Sequence, residues 1–275
     1  MPAGVTVRDL LFPGLATDFF GRQPFPDFDP TLTGFQPVHA QWLAELSRLV
    51  YRHDHEEKNP PPSPTRRRYL EDAGLRQVHF FKAGDDTQAM LVVRGTPPDL
   101  AILAFRGTEN LRDWFTNINL PLMPFPGGGR VHAGFMRGLN AVWPEVEQAL
   151  NGVNCPLYFT GHSLGAALAT IAAARHPPRA LYTFGSPQLG DAAFVDIVRC
   201  PVYRIVHSTD LVTAVPGEAL EYRHVGTRIH ITGPGPGLLT KMISLVRGVP
   251  DLLDHAPAYY VDRVGSAKPL PLPAP

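Results

Sequence analysis

The segment 158–167 constrains this chain more than any other part of the sequence, because it reads YFTGHSLGAA. An apolar strand pattern runs into Gly-x-Ser-x-Gly and then into small residues suited to a closely packed helix. A serine at such a strand-to-helix turn has a strained backbone and an exposed hydroxyl, and Gly161 and Gly165 leave the space that the turn needs. The N–H after Ser163 lies at a helix N-terminus, where it can stabilise an oxyanion. The pattern therefore predicts a serine nucleophile suited to attack an ester carbonyl.

Length and composition predict a globular protein with a substantial core. The chain has 275 residues, of which 44% are hydrophobic, and this fits one large α/β domain or two small ones. Its 25 basic and 25 acidic side chains balance, so no global charge argues for a nucleic acid as partner. The sequence has no run of about eighteen apolar residues, so we predict no transmembrane segment.

The segment 1–15 has no basic region followed by an apolar run and a cleavage site, so we expect no secretory signal in it. This expectation leaves the compartment open between the cytoplasm and a leaderless or mature secreted form. The oligomeric state is open as well.

Periodicity in the chain predicts alternating helices and strands. Apolar residues at helical spacing predict helices at 39–51, 69–74, 135–150, 164–176 and 238–246. Other apolar runs predict strands at 78–82, 89–94, 100–105, 157–160, 181–184 and 202–206, and a late hairpin from 222–225 and 228–231. Because the two types alternate from Leu100 onward, we predict an α/β fold with a mainly parallel central sheet flanked by helices. A single domain would span 1–268, with an irregular N-terminal arm at 1–38 and a flexible proline-rich tail at 269–275.

The two cysteines, Cys155 and Cys200, are predicted to be free thiols. Each precedes a proline and a predicted strand, and we expect the strand 181–184 to lie between those two strands. Two strand spacings of about 4.8 Å then separate them by roughly 10 Å, beyond disulfide reach. Neither has a neighbouring cysteine or histidine at metal-ligand spacing, and we predict no metal site and no cofactor.

A serine nucleophile needs a histidine to take its proton and a carboxylate to hold that histidine, and on this kind of fold the acid precedes the histidine. Asp210 stands just past the predicted strand 202–206, where open α/β sheets build their sites. His255 lies in the loop after the last predicted helix. The remaining downstream candidates are the acids Asp191, Asp196, Glu218, Glu221, Asp251, Asp254 and Asp262 and the histidines His176, His207, His224 and His230.

The order of short motifs along the chain resembles the class 3 lipase family, the fungal-lipase-like α/β hydrolases. The resemblance runs from about Leu100 to Tyr259, and its blocks lie at 104–108, 113–117, 131–135, 161–165, 183–191, 207–212 and 254–255. It implies an α/β-hydrolase fold and a triad of Ser163, Asp210 and His255, in agreement with the positional argument.

The resemblance also implies the residues of an oxyanion hole, and other polar residues near the motif are interpreted as structural. Thr108 follows a strand and would donate its N–H, helped by its hydroxyl, together with the N–H of Leu164. By contrast, we interpret His162 as structural, with its side chain directed away from the substrate. His132 is expected to brace a loop, and Asp191 to cap a helix.

A short lid helix is predicted directly after the oxyanion turn. Four residues form one apolar stripe at helical spacing: Leu111, Trp114, Phe115 and Ile118. Polar residues fill the other side, and glycines at 127–129 supply a flexible joint. An ordinary amphipathic helix packed on the core is the alternative. As a lid, the stripe would cover Ser163 and turn outward at an oil–water interface.

The leading interpretation is a serine carboxylic ester hydrolase, a triacylglycerol lipase that acts on a lipid ester through an acyl-enzyme. Alternatives on the same scaffold are a carboxylesterase for soluble or aryl (feruloyl-type) esters and a phospholipase of the A1 type. A peptidase or acyltransferase is also possible, since fold does not fix the reaction. From a different class comes a non-catalytic binding module, which would normally have lost a triad residue.

Overall fold

A computed structural model describes residues 9, 12–55, 57–58, 60–84, 87–108, 120–207, 210–233, 254–266 and 268–269. Its strands are β1 (Leu75–Ala83), β2 (Thr87–Arg94), β3 (Leu100–Phe105), β4 (Leu122–Pro124), β5 (Arg130–His132), β6 (Leu157–His162), β7 (Ala180–Phe184), β8 (Val202–His207), β9 (Thr227–Ile231) and β10 (Lys268–Pro269). Its α-helices are α1 (Pro37–Leu49), α2 (Arg66–Asp72), α3 (Ala133–Leu150), α4 (Leu164–Arg175), α5 (Ala192–Val195) and α6 (Pro257–Arg263).

Eight of the strands form one sheet in the order β1-β2-β3-β6-β7-β8-β9-β10. The run from β3 to β9 is parallel throughout, whereas β1, β2 and β10 join antiparallel at the edges. Parallel strands direct their carboxyl ends to one edge of the sheet, and open α/β sheets build their sites there. The predicted mainly parallel sheet with flanking helices is confirmed.

Burial on both faces explains the continuous apolar strands. Along β3, Leu103 and Phe105 belong to the core under α3 and α4, whereas Ile102 and Ala104 belong to the core under α1. All six residues of β3 are buried, because helices cover the sheet on both sides. This sandwich of helix, sheet and helix holds the strand ends rigidly.

The predicted late hairpin is wrong. Only its second half forms a strand, and β9 pairs parallel with β8 rather than back on 222–225. The first half lies outside the sheet, where Tyr222 donates its hydroxyl to the Leu120 carbonyl at 2.6 Å and Arg223 makes an isolated bridge with Gly190. Its apolar residues Tyr222 and Val225 are buried although they lie outside the sheet, and this produced an alternation that resembles a strand.

The C-terminal part departs from the prediction in two further ways. Helix α6 was not predicted, and it begins two residues after His255. Pro269 pairs with Ile229 in β10, so the segment assigned to the tail begins with a residue of the sheet. The predicted helix 238–246 and the rest of the tail, 270–275, lie outside the described residues. The other domain boundaries stay predictions.

The predictions about the cysteines agree with the structure. Cys155 and Cys200 are free. They precede β6 and β8, and β7 lies between these strands as expected. Within the described part of the chain, no helix is long and apolar enough to cross a membrane, and no cluster of side chains could hold a metal ion.

The N-terminal arm is irregular between 16 and 36, as predicted, and ion pairs of the buried Arg22 and Arg48 hold it on the molecule. Arg22 contacts Asp18 at 2.5 Å and Asp262 of α6 at 2.5 Å. Arg48 of α1 also contacts Asp18 and lies 3.2 Å from Glu45, which is fully buried. Burial raises the pKa of Glu45, whereas Arg48 opposes that shift. Each buried charge is therefore stabilised by an opposite charge beside it, and removing one partner would leave the other uncompensated.

We expect Arg48→Met to cost about 3 kcal/mol of unfolding free energy at pH 7, because it leaves the buried Glu45 without its cation. Since burial raises the pKa of Glu45, the loss should shrink as the pH falls and the carboxyl takes up a proton. Urea unfolding at pH 7 and pH 5 measures both effects.

Arg68→Met is the matched control, because its ion pair with Asp72 at 2.7 Å is more than half exposed on both sides. An exposed pair of this kind contributes less than about 1 kcal/mol. Equal losses in the two variants would contradict the assigned role of Arg48.

Candidate active site

Ser163 occupies a strained turn between β6 and α4. Its φ is 58° and its ψ is −127°, a region that residues other than glycine rarely adopt. The turn is held in place because the Ser163 N–H donates to the Phe184 carbonyl at 2.9 Å. This is the predicted strand–serine–helix geometry, and it places the hydroxyl at the carboxyl edge of the sheet.

The two glycines of the motif allow three backbone segments to meet around Ser163. A Cβ atom on Gly161 would lie 2.3 Å from the carbonyl atoms of Gly165. A Cβ atom on Gly165 would lie 2.3 Å from the carbonyl oxygen of Phe105, at the end of β3. Any side chain at either position would therefore push α4 away from the sheet.

Asp210 and His255 form a buried pair at the same edge. Nδ1 of His255 lies 2.8 Å from Oδ2 of Asp210, and both side chains are inaccessible to solvent. Asp210 follows β8 by three residues, as predicted, and its Oδ1 accepts the Val212 N–H at 3.0 Å. The carboxylate thus fixes the ring orientation with a proton on Nδ1, which leaves Nε2 as the free base.

Tyr260 is a second side-chain partner of Asp210. Its hydroxyl donates to Oδ2, the oxygen that also faces His255. Burial and the Asp210 charge raise the pKa of Tyr260 well above its ordinary value, so it remains a donor. Burial alone would raise the pKa of Asp210, but the His255 charge and the bonds from His255 and Tyr260 hold it below its ordinary value. Asp210 is therefore ionised at neutral pH.

The buried His162 ring contacts His255, and this agrees with the structural role interpreted from the sequence. Its Nε2 donates to the His255 backbone carbonyl at 2.8 Å, and the two ring centroids are 4.4 Å apart. Burial and then the His255 charge lower the pKa of His162 far below its ordinary value, so its ring is neutral. The motif histidine therefore anchors the backbone of His255.

Ser163 and His255 do not form a hydrogen bond in the structure. Among the described residues, neither Ser163 Oγ nor His255 Nε2 has a hydrogen-bond partner, although both atoms are buried. Such bonds are often long in unliganded serine hydrolases and shorten when substrate binds. The two atoms are therefore available for the reaction.

The predicted oxyanion donors flank this serine. Leu164 is the first residue of α4, so its N–H has no partner within the helix. On the other side, a Cβ atom on Gly107 would lie 3.3 Å from the Ser163 Cβ. Thr108 is the next residue, and it therefore lies beside the nucleophile. This placement suits both donors for a charge that develops on the substrate carbonyl.

The remaining predicted site residues fall into two groups. His132 and Asp191 both cap helices: the His132 Nδ1 accepts the Gly134 N–H at 3.2 Å, and Asp191 accepts the Phe194 N–H at 3.0 Å. A cap was predicted for Asp191, and a braced loop for His132. The four predicted lid residues, at 111–118, lie outside the described residues.

Comparison with known proteins agrees with this geometry. Residues 102–220 match the family model for the class 3 lipases. The segment contains Thr108, Ser163 and Asp210, whereas His255 lies beyond its end.

Two curated relatives and one solved structure illustrate the similarity. The secreted mono- and diacylglycerol lipase 1 of Fusarium solani is 34% identical over 149 residues, 49% of this chain and 44% of the relative. The lipase of Rhizomucor miehei is 31% identical over 170 residues, 55% of this chain and 47% of the relative. The chain thus spans about half the length of these relatives.

Lipase II from Rhizopus niveus is similar in fold to most of this chain. The superposition has a TM-score of 0.55 at 25% identity and covers 70% of this chain and 77% of that one. Together with the sheet order, this confirms the predicted α/β-hydrolase fold.

Sequence analysis missed two residues that contact the Asp210–His255 pair. Tyr260 was missed because α6 was not predicted, although Pro257 two residues after His255 is a helix-start signal. Gly185 has a φ of +59°, and a Cβ atom there would lie 2.8 Å from Asp210 Oδ2 and 2.9 Å from the His255 ring. No local pattern indicates that Gly185 lies against residues so distant in sequence.

Gly185→Ala should lower kcat for ester hydrolysis at least tenfold, because its methyl group would displace the Asp210–His255 pair. A left-handed φ also costs an alanine about 1 kcal/mol wherever it occurs. Gly74→Ala separates the two effects, since Gly74 has a φ of +73° and no atom within 4 Å of an added Cβ. Kinetics and thermal unfolding of both variants test this, and equal kcat values would disprove it.

Tyr260→Phe should lower kcat about tenfold, because Asp210 loses a charge-assisted hydrogen bond that keeps it ionised and oriented. The pKa of Asp210 should rise, so the acid limb of kcat/KM should change as well. The measurement is a pH profile on a soluble ester. Tyr259→Phe is the control, and a profile identical to wild type in Tyr260→Phe would contradict the assignment.

Proposed function

We propose that the protein is a serine carboxylic ester hydrolase that acts on acylglycerols through an acyl-enzyme. One observation carries the proposal. A serine in a strained strand-to-helix turn lies at the same sheet edge as a buried Asp–His pair joined at 2.8 Å. Such a constellation is recognised by geometry and by roles, and here each role has a candidate.

The reaction follows from the positions of these groups. His255 Nε2 takes the proton of the Ser163 hydroxyl while Oγ attacks the ester carbonyl carbon. The carbonyl oxygen becomes an oxyanion between the N–H groups of Thr108 and Leu164. His255 then gives its proton to the departing alcohol, and an acyl-enzyme remains. A water molecule, deprotonated by the same nitrogen, releases the acid and restores Ser163.

Asp210 stabilises the imidazolium that forms in both steps. It stays ionised because its pKa lies below the ordinary value, so it can compensate the positive ring without taking the proton. Tyr260 and the Val212 N–H hold the carboxylate while the charge on His255 changes. The buried pair therefore needs no rearrangement of solvent during the reaction.

Two features support an acylglycerol as the substrate. The relatives reported above are named as lipases, and one of them as a mono- and diacylglycerol lipase. Leu211 and Leu220, on the segment that follows Asp210, are each about half exposed, at 50% and 49%. Exposed apolar side chains on the segment after the candidate acid suit an insoluble substrate better than a soluble one. The predicted lid stripe would extend this apolar surface at an oil–water interface.

Ser163→Ala and Asp210→Asn should each lower kcat on the order of 10⁴-fold, with the fold intact. The assay compares soluble esters of increasing acyl length with emulsified triacylglycerol, diacylglycerol and phospholipid. We expect activity to increase with acyl length and to be highest on an emulsified acylglycerol.

Asp191→Asn is the matched control, because Asp191 caps α5 and contacts Arg130 without touching His255. It should keep wild-type kcat. Near-normal hydrolysis by a folded Asp210→Asn variant would refute the acid assignment. Hydrolysis of short soluble esters alone would favour an esterase.

A further inference from the structure

His207 is a buried histidine at the end of β8 whose two ring nitrogens face opposite charges. Nη1 of Arg263 donates to Nε2, and Nδ1 lies 3.7 Å from Oδ1 of Asp254. Since a guanidinium can only donate, Nε2 must be the acceptor and Nδ1 must carry the proton of the neutral ring. At 3.7 Å that N–H lies beyond hydrogen-bond distance of Asp254 Oδ1, so the contact between His207 and Asp254 is electrostatic.

Two Asp–His pairs therefore connect the same two segments. The segment at the end of β8 contributes His207 and Asp210, and the segment before α6 contributes Asp254 and His255. Each aspartate faces the histidine of the other segment, because Asp210 binds His255 and Asp254 faces His207. Asp254 is the residue immediately before His255, so a restraint on it acts on the backbone that carries the His255 ring.

We propose that His207 is a positioning residue that fixes the His255 segment through Asp254 and α6 through Arg263. Its ring lies nearly parallel to that of Tyr259 at an interplanar angle of 11°, and the Arg263 guanidinium lies 4.0 Å from the centroid of the same tyrosine. The His255 ring is then held by Asp210, its carbonyl by His162, and the preceding residue by His207. The catalytic consequence rests on the proposed function, whereas the restraint itself does not.

The surroundings of His207 favour its neutral form. Burial and then Arg263 lower the pKa of His207, against the opposing charges of Asp254 and Asp210, and His230 of the neighbouring strand lowers it further. The ring is therefore neutral at neutral pH. When the pH falls far enough to protonate it, a second N–H would face Arg263, donor against donor, and the contact would be lost.

Three variants separate the two contacts of His207. Asn places an N–H donor near the Nδ1 position and keeps the contact with Asp254. Gln places an acceptor near the Nε2 position and keeps the contact with Arg263. Phe keeps the ring against Tyr259 and loses both. We expect His207→Asn to stay within about threefold of wild-type kcat, and His207→Gln and His207→Phe to lose about tenfold or more with little change in KM.

Two readouts distinguish positioning from a purely structural role. The acid limb of kcat/KM should move in His207→Gln and His207→Phe but not in His207→Asn. In proton NMR, the low-field signal of the His255 Nδ1–H proton should persist in His207→Asn and broaden or vanish in the other two. His230→Gln, on the adjacent strand, controls for the loss of a histidine and should match wild type in both.

The outcomes separate this inference from the proposed function. A wild-type protein without esterase activity would overturn the proposed function, and the NMR signal would still test the restraint. An active wild type whose three His207 variants share its kcat, pH profile and low-field signal would overturn the inference alone. Thermal unfolding of each variant identifies any that fails to fold. His207→Asn, the mildest change, then decides the question together with Asp254→Ala. The alanine removes the oxygen that faces Nδ1, so this variant should reproduce the His207→Gln phenotype.

Discussion

The direct contact between Gly165 and the carbonyl of Phe105 is the constraint on which the site depends. It brings the first turn of α4 against the end of β3, and this places the N–H of Leu164 and the segment at Thr108 on either side of Ser163. The strain at Ser163 is tolerated because rigid elements on three sides determine its backbone. The same backbone packing therefore positions both the nucleophile and the oxyanion donors.

Compensation of buried charge is the second organising theme. Asp210 is buried, yet it accepts from a ring, a phenol and a backbone N–H, and these partners keep it ionised. Neutral histidines on either side, His162 and His207, contribute hydrogen bonds without adding charge that would compete with His255. Burial makes each of these bonds stronger, and it makes the loss of any one of them more costly.

Sequence reasoning succeeded where the determining physics is local. The Gly-x-Ser-x-Gly turn requires glycines at fixed offsets, and Asp210 could be placed because it directly follows a buried parallel strand. It failed where buried residues outside the sheet alternate like those of a strand, as at 222–225, and where contacts connect residues far apart in sequence. Tyr260 lies 50 residues from Asp210, and no periodicity in either segment predicts that the two residues are in contact. The N–H of Leu164 could be placed from the motif itself, whereas Thr108 was assigned from its position after a strand together with the resemblance to a family; composition alone would have left it as a turn residue.

The ion pair between Arg22 and Asp262 joins residues that are 240 positions apart. Contacts of such long range are entropically expensive to close and tend to slow folding. During synthesis the arm emerges well before the helix that secures it, because 240 positions separate Arg22 from Asp262. Until α6 has been synthesised, the arm lacks this anchor, and His255 and Tyr260 have not yet joined Asp210. The candidate active site can therefore be assembled only after α6 has been synthesised, however well the central sheet has already formed.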